Sequence, residues 1–209
     1  MLKIIIISFA AVYLSASAQA QWKLISGKDE VTSLNKLKTS TGFIGSINGG
    51  LEIPFGDLSD NSDLGWNIGA TGGYVFNNQL ATRVDLTYNS FVPSPFGRTF
   101  SVITFRGDFM FGNFGKKATL AYMFGGIGMY SVNIPSSNIS VYNANGELIS
   151  TVHIPSDSKA EFGIAIGGGI GFRISNDIAM FGEAAFCQGF GSKPDVSFIP
   201  FKAGIMLTP

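Results

Sequence analysis

Two segments, TRVDLTY at 82–88 and TFRGDFM at 104–110, each place an arginine and an aspartate two residues apart in an otherwise apolar, aromatic run. Opposite charges in such runs can serve proton or ion chemistry. They can also neutralise one another where water is scarce, since an unpaired buried charge is strongly destabilising. Antiparallel partners keep a constant sum of residue numbers. Arg83 with Asp108 and Asp85 with Arg106 share that sum, so one register satisfies both pairs. A shift of one residue would turn one set to the other face. Glu183 and Lys202, on neighbouring segments further on, form a second candidate pair.

Other residues with chemical potential are fewer. His153 is the only histidine, with Ser150, Ser156 and Asp157 nearby. A serine nucleophile beside a histidine base would suit acyl chemistry, but this polar segment is a poor place to hold a triad rigidly. Asp57, Asp60 and Asp63 supply oxygen ligands of the kind Ca²⁺ takes, at a spacing equally suited to solvated turns. GIAIGGGIGF at 163–172 is glycine-rich, but its alternating isoleucines indicate a strand, without the helix that a phosphate loop requires. Its glycines are expected to relieve crowding in a wall. Cys187 is the only cysteine, so no intrachain disulfide forms; it is read as a small wall residue near the outer end of its strand. No cofactor or metal is expected.

The elements that carry these residues have a period of two. Eight strands are predicted near 41–53, 64–76, 79–91, 99–112, 118–132, 159–174, 177–188 and 195–207. Phe43, Ile47 and Leu51 share a face of the first, and Ile103, Phe105 and Phe109 a face of the fourth. In the fifth, Leu120, Tyr122 and Phe124 are read as the apolar face, although glycines blur the pattern. Nine charged residues fall opposite the apolar faces: Glu52, Arg83, Asp85, Arg106, Asp108, Glu161, Arg173, Glu183 and Lys202. Trp66, Tyr74, Phe76, Tyr88, Phe111 and Tyr122 lie toward strand ends, as interfacial girdles do. The connections after the second, fourth and sixth strands are tight. The others are longer, above all 133–158, which is rich in Ser, Asn and Pro.

Only 13% of the chain is charged, with 14 basic residues against 14 acidic, so the concentrated basic surface of a nucleic-acid binder is missing. Residues 1–20 read as a signal peptide: Lys3, an apolar run, and Ala18-Gln19-Ala20 as a cleavage site. Residues 21–40 read as a periplasmic lead-in, and 41–209 as one barrel domain. Alternation alone does not distinguish a membrane barrel from a soluble one of lipocalin type. Sparse charge, the leader and the alternating loop lengths favour the membrane form.

In the segments IPFGDLSDNSDLGWNIGATGGYVFNNQLATRVDLTYNSF, MFGEAAF and SFIPFKAGIML, the chain resembles the small outer-membrane β-barrels of the OmpA and OmpX type. The resemblance spans roughly 41–207. It implies an all-β, eight-stranded antiparallel up-and-down transmembrane barrel and a bacterial outer-membrane location. Its expected partners are outer-membrane lipids and the barrel-insertion machinery. The last strand of that family commonly ends in an aromatic residue; this chain departs from that pattern with Leu207-Thr208-Pro209. The expected role is a monomeric, non-enzymatic barrel acting structurally or through surface ligands at 133–158. A narrow pore and a lipid A-modifying enzyme are the alternatives.

Overall fold

The computed structural model describes residues 41–60, 62–93, 100–115, 118–143, 145, 148–191 and 196–209. The signal peptide and the 21–40 segment lie outside the described residues. Eight long strands close into an antiparallel barrel. These are β1 (Gly42–Phe55), β2 (Ser62–Val75), β3 (Leu80–Pro93), β4 (Phe100–Asn113), β5 (Thr119–Ile134), β8 (Asp157–Arg173), β9 (Ile178–Phe190) and β10 (Ser197–Leu207). Each pairs with its neighbour in the chain, except that β5 pairs with β8 and that β1 and β10 close the tube from Gly45↔Leu207 to Phe55↔Ser197. Between β5 and β8, β6 (Ser137–Tyr142) and β7 (Leu148–Ile154) form a separate two-stranded sheet. The segment expected to be an irregular loop is therefore a β-hairpin protruding from the long-loop rim.

Period two builds the wall. Phe43, Ile47, Ile68, Leu86, Phe105, Phe109, Ile127, Ile166 and Phe172 stand exposed on the outside, and the charged residues between them point in. The expected strand boundaries shift mainly at the long-loop rim. There β1, β3, β5 and β9 each run two residues further than expected, ending at Phe55, Pro93, Ile134 and Phe190. Backbone pairing continues past the point where the apolar alternation fades.

Strand β5 is inverted relative to the sequence reading. Leu120, Tyr122 and Phe124 are buried in the lumen, while Met123, Ile127 and Met129 face out. The neighbouring strand explains it. The inward positions of β8 include Gly163, Ala165, Gly167, Gly169 and Gly171. A Cβ at Gly163 would strike the ring of Tyr130, one at Gly167 that of Phe124, and one at Gly169 that of Tyr122. The bare β8 wall thus receives the aromatic rings of β5. Tyr122, expected in a girdle, belongs to the interior, whereas Trp66, Tyr74, Phe76, Tyr88 and Phe111 are exposed as expected.

The lumen is layered. At the long-loop end Phe91 stacks on Phe100 at 4.7 Å and meets Phe198 edge-on at 5.6 Å, with Tyr130 against Phe198 at 6.1 Å. At the short-turn end Phe114 stacks on Tyr122 at 5.9 Å, beside buried Val75, Met110 and Phe181. The charges lie between these layers. An eight-stranded tube is just wide enough to be filled in this way.

Candidate functional site

The β3–β4 register pairs Arg83 with Asp108 and Asp85 with Arg106. Val84 and Gly107 occupy the alternate, outward positions, so all four charged side chains enter the lumen, where each residue is at most 2% exposed. Arg83 Nε donates to Asp108 Oδ2 at 2.9 Å. Its two terminal nitrogens fork onto Glu183 of β9, Nη2 reaching Oε2 at 3.0 Å. A planar guanidinium matches a carboxylate in this bidentate manner.

Arg106 takes the other edge of Asp108, donating from Nε to Oδ1 and from Nη2 to Oδ2 at 3.1 Å. It comes only to 3.9 Å from Asp85, its register partner. Asp85 instead accepts from Lys202 Nζ at 3.1 and 3.0 Å, and Thr87 ties the pair by donating to Asp85 Oδ1 at 2.7 Å. Tyr122 donates its phenol proton to Glu183 at 2.6 Å. The Phe124 ring lies under both guanidinium groups, with centroid distances of 4.4 Å to Arg83 and 5.7 Å to Arg106, adding cation–π attraction in a dry setting.

Glu183 and Lys202 are register partners on β9 and β10, but they make no salt bridge with each other. Each reaches across the lumen, to Arg83 and to Asp85. The arginine fork offers Glu183 two aligned donors, which a single ammonium cannot.

The remaining expected members are Glu52, Glu161 and Arg173. Glu52 is fully buried at the register level of Gly65 and Pro200, and neither carboxylate oxygen has a hydrogen-bond partner. Glu161 is buried toward the long-loop end, where a Cβ at Gly191 would strike its carboxylate. Arg173 follows the inward positions of β8 but lies half-buried at the mouth of the lumen rather than in the central cluster. At the short-turn rim it donates to Thr208 Oγ1, to Asn176 O at 2.9 Å and to Gly115 O at 3.2 Å.

Sequence reasoning missed Thr87, Tyr122, Phe124 and Cys187. Cys187 is buried in the lumen and accepts from Arg106 Nη1 at 3.6 Å. The outward set Met123, Ile127 and Met129 was the signal that fixes the phase of β5, and with it the inward Tyr122 and Phe124.

His153 is exposed on β7, its Nδ1 within 2.8 Å of Asn138 Oδ1. Ser150, three residues earlier on the same strand, projects from the opposite face of the hairpin. Asp57, Asp60 and Asp63 are all exposed, and among the described residues no group of three or more His, Cys, Asp or Glu is placed to hold a metal. In the lumen Arg83, Arg106 and Lys202 each face a carboxylate.

No family model matches the sequence, and no curated protein matches it. Solved structures do. The Neisserial surface protein A superposes with a TM-score of 0.62 at 12% identity, covering 81% of this chain and 99% of that one. The N-terminal β-barrel domain of Pseudomonas aeruginosa OprF gives 0.44 at 11% identity, covering 81% and 100%. The Yersinia pestis attachment invasion locus protein Ail gives 0.45 at 14% identity, covering 81% and 97%. The likeness to the neisserial protein shows the fold, a closed eight-stranded antiparallel barrel.

Proposed function

We propose that this chain is a monomeric barrel of the bacterial outer membrane, exported by its 1–20 leader and seated by the barrel-insertion machinery. It serves a structural or surface-interaction role through its long-loop rim. One observation carries the reading: polarity is inverted. Large apolar side chains cover the outside, while Glu52, Arg83, Asp85, Arg106, Asp108, Glu161, Glu183 and Lys202 are buried. In water that arrangement would expose a large continuous apolar surface and bury charges at high cost. Surrounded by acyl chains it is the favourable one, since a lipid-facing Arg or Lys near the midplane costs about 2–4 kcal/mol. Strand length agrees: the shortest barrel strand has 11 residues, and about 9–11 tilted residues cross a bilayer.

The layered lumen supports a closed interior rather than a narrow pore, because aromatic rings cap the charge layer at both ends. Among the described residues the β6–β7 hairpin is the longest connection at the rim and the natural place for a surface ligand. Nothing about His153 supports lipid A chemistry.

The test is reconstitution of the purified protein in planar bilayers. The reading expects a heat-modifiable band in SDS, intact only before boiling, and no single-channel steps. A steady conductance reduced by neutralising Arg106 would replace it with the pore.

A further inference from the structure

The β6–β7 hairpin keeps the register of the barrel wall below it. Ile134 pairs with Asp157 at the rim, and beyond it Ser137 pairs with Ile154 and Val141 with Ser150. The residue numbers of each pair add to the same total, so no residue is gained or lost between the two ladders. Alternation of side chains therefore carries across the join. On β8 the even positions Phe162, Ile164 and Ile166 face out. The even positions of β7, from Ile154 to Leu148, follow that side, and Val152 and Leu148 are 48% and 57% exposed. The odd positions His153 and Thr151 follow the lumen side, opposite Asn138 and Ser140. Ile149, near the tip, is the one apolar residue among the odd positions of β7.

The strands break only at 135–136 and 155–156. Each break carries a proline, Pro135 on one strand and Pro155 on the other. Proline has no N–H to give to a ladder, so the join is a weak point about which the hairpin can turn. Neither β6 nor β7 contains a Lys, Arg, Asp or Glu, although exposed strands at a sheet edge are commonly protected by charge. Asp157 and Lys159, at the base, take odd positions and so belong to the lumen side. The outward face of the hairpin is thus uncharged, mainly apolar and in line with the apolar wall.

We propose that the hairpin turns outward at Pro135 and Pro155 and rests this face on the lipid surface beside the rim, an inference that rests on the outer-membrane reading above. Upright, or folded over the mouth, the hairpin would leave Val152 and Leu148 in water, which apolar surface avoids. The mouth needs no such cover, because Phe91, Phe100 and Phe198 already fill that end of the lumen. Turned outward, the hairpin removes Val152 and Leu148 from water and leaves Asn138, Ser140, Thr151 and His153 uppermost for a surface ligand. A lipid surface is favoured over a second copy because the face continues the lipid-facing wall. The seven residues of β7 reach about 20 Å along that surface at ~3.3 Å per residue. Interfacial amphipathic helices hold to membranes by the same division of faces.

The test uses the full protein in vesicles of phosphatidylethanolamine and phosphatidylglycerol, spin-labelled in turn at Val152→Cys, Thr151→Cys and Phe105→Cys. Cys187 is buried in the lumen and stays unlabelled in the folded protein. Collision with oxygen reports lipid, and collision with a nickel chelate reports water. The label at 152 is expected to meet oxygen and escape nickel, with the label at 151 several-fold more open to nickel. Pro135→Val with Pro155→Val should fuse the two ladders and raise the nickel accessibility of 152 several-fold. Retention of the heat-modifiable band shows that each variant folds. Nickel reaching 152 as readily as 151 overturns the proposal. So does a label at 152 shielded from both reagents, which would mean packing against protein, and so does a value at 152 unchanged by the proline replacements. Nickel reaching 105 on the barrel wall would instead sink the membrane reading itself.

Discussion

Arg83 and Glu183, a hundred residues apart in sequence, meet through two hydrogen bonds across the lumen. Their strands, β3 and β9, occupy opposite positions in the closed ring of eight. The bond therefore runs along a diameter and depends on every strand between them having closed correctly.

Replacing Arg83 with Leu should be among the most damaging single changes in the barrel. It leaves Glu183 with only the Tyr122 hydroxyl and takes one partner from Asp108. Removing one member of a buried pair costs about 3–5 kcal/mol. Urea unfolding from micelles measures it. Adding Glu183→Leu to the same protein should recover part of the loss, because the stranded carboxylate goes too; strict additivity of the two variants would show that the fork carries no coupling.

Glu52 should behave in the opposite sense. Its carboxylate is buried with neither oxygen hydrogen-bonded, and an unsatisfied buried polar group costs about 1–3 kcal/mol, more when charged. Glu52→Gln is expected to raise the denaturation midpoint or leave it unchanged, whereas Glu183→Gln lowers it. Equal losses in the two variants would show that neighbouring Asn67 and Lys202 compensate the Glu52 carboxylate.

Phe105 and Arg106 are adjacent in sequence and on opposite sides of the wall. Phe105→Arg should cost about 2–4 kcal/mol in a bilayer and reduce the folded, heat-modifiable fraction on insertion into vesicles. Phe105→Leu should be tolerated. An arginine accepted at 105 without loss would place that side of the wall in water.

The hairpin should be removable. Ile134 and Asp157 are Cα partners in the β5–β8 register, so joining them by a short Asn-Gly turn continues the ladder without strain. Deletion of 135–156 is expected to leave the compact SDS form intact and to abolish any surface binding. Loss of the compact form would make the hairpin part of the barrel's stability.

The wall was legible in the sequence because its pattern is simple. Charges at 83, 85, 106 and 108 break an apolar alternation, and the equal sums place them opposite one another. The contents of the lumen were less so. Nothing local tells Glu183 to prefer Arg83 over its register partner Lys202, since that choice depends on which strands face each other after closure. Strand β5 was misread because its outward side carries Ala121 and Gly125 while its inward side carries Tyr122 and Phe124. The bulk in its sequence follows the bare β8 beside it rather than the greasy exterior. Residues 137–154 passed for a loop because Ser137, Asn138 and Ser140 interrupt one strand and Ser150 and Thr151 the other, in a hairpin whose strands each have a partner on one edge only.

The β3–β4 ladder holds two cations and two anions in facing positions, and the β9–β10 ladder sets Glu183 against Lys202. The strands of either pair, taken alone, are already electrically balanced. Sealing the cylinder therefore exchanges counter-ions between two neutral ribbons, so neither ribbon need carry a bare ion through the bilayer on its way to the finished tube.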